Sequence, residues 1–361
     1  MRQVAELSVQ GLLGADAGDA VLVRAGVPDE FLEHLHRCGL PVPGILAHPG
    51  LDPRSKFRPF GWSAEAIGLN RRHDRPAKHP APETIERVNG RTLALEIELE
   101  SAAGPATGRI LRDSRALEEF LSSASPGSEW VVKAEHGNSG LANRRLRAGG
   151  LTEVDRRFVA NAFAEDDGML IEPWLDRERD WCVVFDVPFD AASLRIHETI
   201  CTRDGALIGA LFEAEGPAET PRSELADTAR NVARRLDDEG YFGPACFDAF
   251  SWRGARGVEL RRLADLNCRR SMSHAAHRAW RRLAPRQACY YRFFNRRKLD
   301  LPASLAALTA ALGDRFYDRS RRRGILPVSP LGFGKLAFLF IAGDRRDVFE
   351  LEAWFRERFE T

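Results

Sequence analysis

The segment Ala264-Asp265-Leu266-Asn267-Cys268-Arg269 sets an acid, an amide and a guanidinium at alternate positions. On an extended strand alternate side chains share a face, so Asp265, Asn267 and Arg269 point the same way. The acidic and amide oxygens suit a hard cation such as Mg2+, and the guanidinium suits a carboxylate or phosphoryl oxygen. Phe247-Asp248-Ala249-Phe250 lies about one hairpin upstream, so Asp248 would add a third metal-directed group. The chemistry described is that of a Mg–nucleotide site. A strand with a polar face on a half-exposed sheet would carry the same string.

Lys133 ends the β-rich Trp130-Val131-Val132-Lys133, and Gly137-Asn138-Ser139-Gly140 follows. A lysine on a sheet beside a glycine turn with free backbone N–H groups makes a phosphate cradle. A surface lysine beside a hairpin turn reads the same way. The chain has no G-x-x-x-x-G-K-[ST], so this is not a P-loop. Further on, Glu172-Pro173-Trp174-Leu175 precedes the charged run Asp176–Asp180. Such a hinge can offer backbone groups to an adenine edge, and a carboxylate at the next strand can accept ribose hydroxyls. Pro173 has no N–H, so an adenine donor would be a later residue such as Leu175.

These residues need elements to hold them. Ala20–Arg24 reads as a strand, and a helix capped by Asp29 runs to about Arg37. Pro43–Ala47 then returns as a strand. Residues 49–82 are rich in Pro, Arg and His and read as connection. One helix is expected from Pro82 to about Glu100, a second over Ser114–Ser123 capped by Asp113, and a third from Thr152 to about Ala164. Strands are expected at Trp130–Ala134, Arg144–Arg147, Met169–Ile171, Trp181–Phe185 and Ser193–Cys201. Residues 223–238 are amphipathic, with Leu225, Ala229, Val232 and Leu236 on one stripe and Gly240 as terminator. After the strands bearing Asp248 and Asp265, the chain reads as helical from 284. A strand over 336–342 and a helix over Val348–Phe359 close it. No G-x-G-x-x-G follows the first strand, which excludes a dinucleotide fingerprint.

Composition sets the outer limits. The chain has 361 residues, 44% hydrophobic and 29% charged, with 53 basic against 52 acidic side chains. This is ordinary for a soluble protein and gives no global case for nucleic acid. No apolar run of about 18 residues is present, so no membrane span is expected. The N-terminus lacks a signal-peptide layout. Cys38, Cys182, Cys201, Cys246, Cys268 and Cys289 are scattered. They read as reduced and mostly buried, which implies a cytoplasmic compartment, and no Cys/His cluster has the ligand spacing of a structural zinc site.

In this order, Trp130–Lys133, Gly137-x-x-Gly140, Ile171–Leu175 with Asp180–Val183, Phe247–Phe250 and Asp265-x-Asn267-x-Arg269 resemble the ATP-grasp superfamily. That group includes D-alanine–D-alanine ligase, biotin carboxylase and many carboxylate–amine ligases. The resemblance spans roughly residues 86–285. Phe60-Gly61-Trp62-Ser63 and Arg87-Val88-Asn89-Gly90-Arg91 resemble a set of bacterial ATP-grasp proteins. The resemblance implies an α/β (α+β) ATP-grasp fold. A pre-ATP-grasp-like α/β domain would cover 1–85, a two-lobed core 86–285 and a C-terminal α/β extension 286–361.

It also implies roles. Lys133 would contact ATP phosphates, with Arg91 where relatives often carry a second lysine. Gly137, Ser139 and Gly140 would form the loop over the phosphates. Glu172, Trp174 and Leu175 would frame adenine, and Asp180 or Glu178 would hold the ribose. Asp248, Asp265 and Asn267 would bind Mg2+. Arg269 and Lys133 would be catalytic, Arg269 meeting the acceptor carboxylate or the developing charge. The segment with Arg270, Ser271 and His274 lies beside the acceptor site in relatives. The implied activity is Mg2+- and ATP-dependent joining of a small-molecule carboxylate to an amine, in a chain that by analogy forms a homodimer. A non-catalytic nucleotide- or partner-binding module and an ATP-grasp kinase are the alternatives. Two departures stand out. The middle metal ligand is usually Glu, one methylene longer than Asp265, and the loop has only two glycines.

Overall fold

Period-two alternation on antiparallel strands builds the two larger sheets of the molecule. The computed structural model describes residues 8–24, 26–46, 56–72, 76–101, 108–136, 143–216, 220–254 and 257–361. In chain order the strands are β1 Ala20–Leu22, β2 Gly44–Leu46, β3 Arg109–Leu111, β4 Glu129–Ala134, β5 Asn143–Arg147, β6 Met169–Pro173 and β7 Arg177–Val187. They continue as β8 Arg195–Cys201, β9 Leu207–Phe212, β10 Gly243–Gly254, β11 Gly257–Asn267, β12 Ala288–Asn295, β13 Gly324–Pro327 and β14 Lys335–Ala342. The helices are α1 Gly11–Gly14, α2 Asp29–Arg37, α3 Ala64–Asn70, α4 Pro82–Asn89, α5 Arg91–Glu100 and α6 Ser114–Ser123. After them come α7 Glu153–Glu165, α8 Arg222–Asp238, α9 Met272–Leu283, α10 Leu305–Leu312 and α11 Arg345–Phe359.

One sheet has eight strands in the order β11-β10-β7-β8-β9-β12-β14-β13, and a second has four, β3-β6-β4-β5. All neighbours in both are antiparallel, whereas β1 and β2 pair in parallel. Strand β7 shows how the large sheet separates its faces. Trp181, Val183, Phe185 and Val187 enter a core with the α8 stripe Leu225, Ala229, Val232 and Leu236. Cys182 and Val184 point to the other face, against Cys246. On that other face α1, α2 and α9 pack on β9, β12 and β14. The small sheet buries Val132, Met169 and Ile171 against α6 and α7. Lys133 and Glu172, at the alternate positions, face away from that core.

Several expectations need correction. Residues from 284 are not continuously helical, because β12 and β13 lie there. In β12, Tyr291 and Phe293 enter one core while Tyr290 and Phe294 enter another. A strand covered on both faces loses the alternation that marks a strand in sequence. The same cause hides β9, whose Ala210, Leu211 and Phe212 are all buried. Residues 49–82 contain helix α3, whose start is capped by Ser63 accepting from the Ala66 N–H at 3.2 Å. Asp29 is the first helical residue rather than the cap, a position held by Pro28. The single helix expected over 82–100 is broken at Gly90, which is extended at φ −78° and ψ 144°. There the Thr92 N–H donates to Glu135 Oε1 at 3.0 Å and the Arg91 N–H to Glu135 O at 3.2 Å. A Cβ at position 90 would come within 2.5 Å of Glu135 Oε1. A side chain at position 90 would have to displace that carboxylate from the Thr92 N–H.

Candidate active site

Asp248 lies directly opposite Asp265 on β11 and Cys182 on β7. Facing residues on antiparallel strands bring their Cβ atoms to about 5 Å, so the two carboxylates share one patch. Asn267 lies one alternation further along, and its Oδ1 accepts from Arg269 Nη2 at 2.7 Å. Arg91, 5% exposed, brings its Nη2 to 3.8 Å from Asp265 Oδ2. Asp180, two residues before Cys182, accepts from Arg177 Nη1 at 3.0 Å. Burial pushes the Asp248 carboxyl up to about 7, and the charges of Asp265 and Asp180 add to the shift against Arg177 and Arg269. Burial also raises Asp180, with Arg177 opposing. Among the described residues no three acids, histidines or cysteines converge as a metal cluster. The oxygen set here is two carboxylates and an amide.

The raised Asp248 predicts a signed pH effect. Its folded form keeps a proton that the unfolded chain loses near its ordinary 3.8, so metal-free protein loses stability as pH rises through about 7. Asp248→Asn removes that loss. In metal-free buffer at pH 8 the variant should resist urea better than the parent, by on the order of 1–2 kcal/mol. The gap should close towards pH 4. Equal urea midpoints at pH 8 would contradict the burial of this carboxyl beside Asp265.

A second set of charges lies deeper. Lys133 Nζ is 2.5 Å from Glu172 Oε1, and Arg261 Nη2 is 2.8 Å from Glu172 Oε2. Arg261 also donates from Nε and Nη2 to both oxygens of Glu98, at 2.8 and 2.9 Å. All four groups are at most 5% exposed. They link β4 and β6 of the small sheet to β11 and to helix α5. Burial works against the charge on Glu172, but Lys133 and Arg261 outweigh it and hold the carboxyl down to about 2. Burial lowers Lys133, with Glu172 opposing.

The hinge residues flank this network. Leu175 packs beside Phe250, Trp252 and Ala264. The Trp174 N–H donates to Glu129 O at 2.9 Å, and the Arg145 guanidinium stacks 4.6 Å from its ring centre. Glu178 pairs with Arg253 towards the strand end, away from the Asp248–Asp265 pair. Cys268 is buried on the opposite face from Asn267, where it donates to Val88 O at 3.3 Å. Its N–H donates to Asn89 Oδ1 at 3.1 Å, which docks the Arg87–Arg91 segment on β11. At the far end Phe60 O accepts from the Arg270 N–H at 2.8 Å. A Cβ on Gly61 would fall 2.7 Å from Arg269 Cβ. Thus Phe60–Ser63 straps over Arg269.

Asp248, Asp265, Asn267, Arg269 and Arg91 therefore come together, with Lys133 beside them through a bond to Ala264 O at 3.4 Å and Glu172 behind it. Gly137, Ser139 and Gly140 lie outside the described residues. His274 joins the helix start, its Nδ1 accepting from the Ser271 N–H at 2.8 Å. Burial pushes both His274 and His277 down to about 4. Sequence reading missed Arg261, Glu98, Glu135 and Arg177. One signal was present for Glu98: it lies seven residues after Arg91, on a helix face whose intervening residues, Ala94 and Leu95, are apolar.

Comparison with solved structures shows the fold to be the ATP-grasp fold. N5-carboxyaminoimidazole ribonucleotide synthetase from Thermus thermophilus aligns with TM-score 0.56 and 13% identity over 98% of this chain and 96% of its own. The Staphylococcus aureus N5-carboxyaminoimidazole synthetase complexed with ADP aligns at 0.55 and 9%, over 97% and 94%. The biotin carboxylase domain of Hydrogenobacter thermophilus 2-oxoglutarate carboxylase, solved with MgADP and bicarbonate, aligns at 0.52 and 12%, over 93% and 80%. No family model and no curated protein matches the sequence. No described helix is long and apolar enough to cross a membrane.

Proposed function

We propose that this chain is a Mg2+- and ATP-dependent ligase that activates a carboxylate as an acyl phosphate and joins it to an amine. The observation that carries the reading is the opposed pair Asp248 and Asp265 with Asn267 and Arg269 along the same edge. Two acids forced together, one with its carboxyl raised to about 7, form an oxygen patch short of a cation. This donor set fits Mg2+, which prefers carboxylate and carbonyl oxygens. When bound, the ion would neutralise charge on the transferring phosphoryl group.

The chain's own groups would do the rest. Lys133 and Arg91 hold phosphate oxygens from the cleft side of the small sheet and helix α5. Glu172, Trp174 and Leu175 frame the adenine, and Asp180, nearer the carboxylate pair than Glu178, accepts the ribose hydroxyls. Arg269, fixed by Asn267 and strapped by Phe60–Ser63, holds the acid so that its oxygen meets the γ-phosphorus. The amine then attacks the acyl carbon and phosphate leaves. Positioning and charge neutralisation supply most of the acceleration in such a transfer. The proposed substrates are amino-acid- or peptide-like, and the working form a homodimer in the cytoplasm.

The test is ADP release from MgATP with pooled carboxylic acids, with and without pooled amines. ADP that appears only with both supports ligation. ADP formed with the acid alone, together with a stable phosphorylated product, would favour a kinase instead. The shorter Asp265 and the pairing of Lys133 with Glu172 favour a second reading, a module that binds nucleotide without turnover. Nucleotide binding with no ADP under any pool would establish it.

A further inference from the structure

Helix α5 starts without a cap of its own. Its N-cap residue is Gly90, which has no side chain to accept from the first free N–H groups of the helix. The acceptor comes from Glu135, directly past the end of β4 and 43 residues beyond Thr92. Its Oε1 takes the Thr92 N–H at 3.0 Å, and its backbone O takes the Arg91 N–H at 3.2 Å. A serine or aspartate at an N-cap serves its helix locally. A cap supplied from β4 adds what a local one cannot: it fixes the first turn of α5 to the strand that carries Lys133.

Arg91 is the first residue of that turn, so its place depends on these two bonds. It is 5% exposed, and its Nη2 stands 3.8 Å from Asp265 Oδ2. Lys133, two residues before Glu135, donates to Ala264 O at 3.4 Å, next to Asp265 in the chain. Asn89, one residue before Gly90, accepts from the Cys268 N–H at 3.1 Å and ties the same corner to the end of β11. Both cations therefore reach β11 beside Asp265, and Glu135 joins the two elements that carry them. The fit is close, since a Cβ on Gly90 would fall 2.5 Å from Glu135 Oε1.

We propose that Glu135 is a positioning residue: through the first turn of α5 it holds Arg91 in a fixed relation to Lys133, so that both cations meet one set of nucleotide phosphates. The reach of the side chain matters more than its charge. The carboxylate serves as an acceptor for a backbone N–H, and an amide oxygen at the same distance does the same. Cations contribute most to phosphate binding where their geometry is held before the ligand arrives. The proposal rests on the ligase reading for the role of Arg91.

The experiment pairs calorimetric titration of the full chain, using Mg2+ and a non-hydrolysable ATP analogue, with hydrogen exchange of the Thr92 amide. Glu135→Asp keeps the charge and shortens the reach by one methylene. Gly90→Ala displaces the carboxylate and leaves Glu135 and Arg91 chemically intact. Each should speed exchange at Thr92 at least tenfold and weaken the analogue at least fivefold. The backbone bond to Arg91 persists in both, so the loss is partial. Glu135→Gln should stay within threefold of the parent in both readouts. In an Arg91→Met background, Glu135→Asp and Gly90→Ala should each change the affinity less than twofold, because their effect runs through Arg91. Parent-like exchange in both variants, an equal loss of affinity with and without Arg91, or Glu135→Gln as weak as Glu135→Asp overturns the proposal. Faster exchange in Glu135→Asp and Gly90→Ala but not in Glu135→Gln, in a protein that binds no nucleotide, leaves Glu135 holding Arg91 and overturns the ligase reading alone.

Discussion

Replacing Lys133 by alanine is expected to weaken a non-hydrolysable ATP analogue at least a hundredfold while the protein stays folded. The side chain is 4% exposed and projects from β4 on the face turned away from the core of the four-stranded sheet. A preorganised cation in a dry cleft contributes far more to phosphate binding than the same charge in water. Loss of one such donor costs about 3–4 kcal/mol in comparable sites. The stability cost is smaller. Glu172 retains Arg261 at 2.8 Å after Lys133 is gone, so its buried carboxylate is not orphaned. Removing half of a doubly paired site should cost about 1–3 kcal/mol. Titration calorimetry with and without Mg2+, beside a thermal melt, separates the two effects. An affinity within threefold of the parent would remove Lys133 from the nucleotide site.

How much of this was legible follows from the kind of signal each part carries. The strand bearing Asp265 and Asn267 could be read because a period of two fixes which side chains share a face, although Arg269 lies just past its end and is held to Asn267 by a bend rather than by the strand. The partnership of Asp248 with Asp265 was legible only as an estimate of hairpin length. Their register, with the irregularity between Asp248 and Phe250, depends on hydrogen bonds that no spacing rule states. Cys268 was read as packing because it alternates away from Asn267, and it is buried there. Strands β9 and β12 were illegible because both of their faces are covered. The break at Gly90 was hidden because its cause, Glu135, is distant in sequence and close in space. Arg261 was missed for a related reason. In Glu259-Leu260-Arg261-Arg262 it looks like one of a solvated pair. Only the fold shows that helix α5 and strand β6 each bring it an acid.

That arginine carries the largest stability effect expected of any single residue here. Arg261→Met should lower the free energy of unfolding by about 3–5 kcal/mol, the usual result of removing one partner from a buried charge set. Glu98 depends on it for both hydrogen bonds, at 2.8 and 2.9 Å, so the loss leaves a carboxylate 2% exposed and without its cation. The same logic predicts rescue. Arg261→Met combined with Glu98→Leu removes the stranded charge and fills its space with apolar atoms, so at least half of the lost stability should return. A pH series adds an independent readout. Glu172, held at about 2, contributes stability that is present above its ordinary 4.5 and lost as pH falls through about 2. With Arg261 gone, Lys133 alone holds that carboxyl down, so its folded value rises and acid unfolding should begin at higher pH. Urea melts of the parent, the single variant and the double variant from pH 7 to pH 3 measure all three effects. A single variant within 1 kcal/mol of the parent at pH 7 would mean that the buried network is not what joins helix α5 to strands β6 and β11.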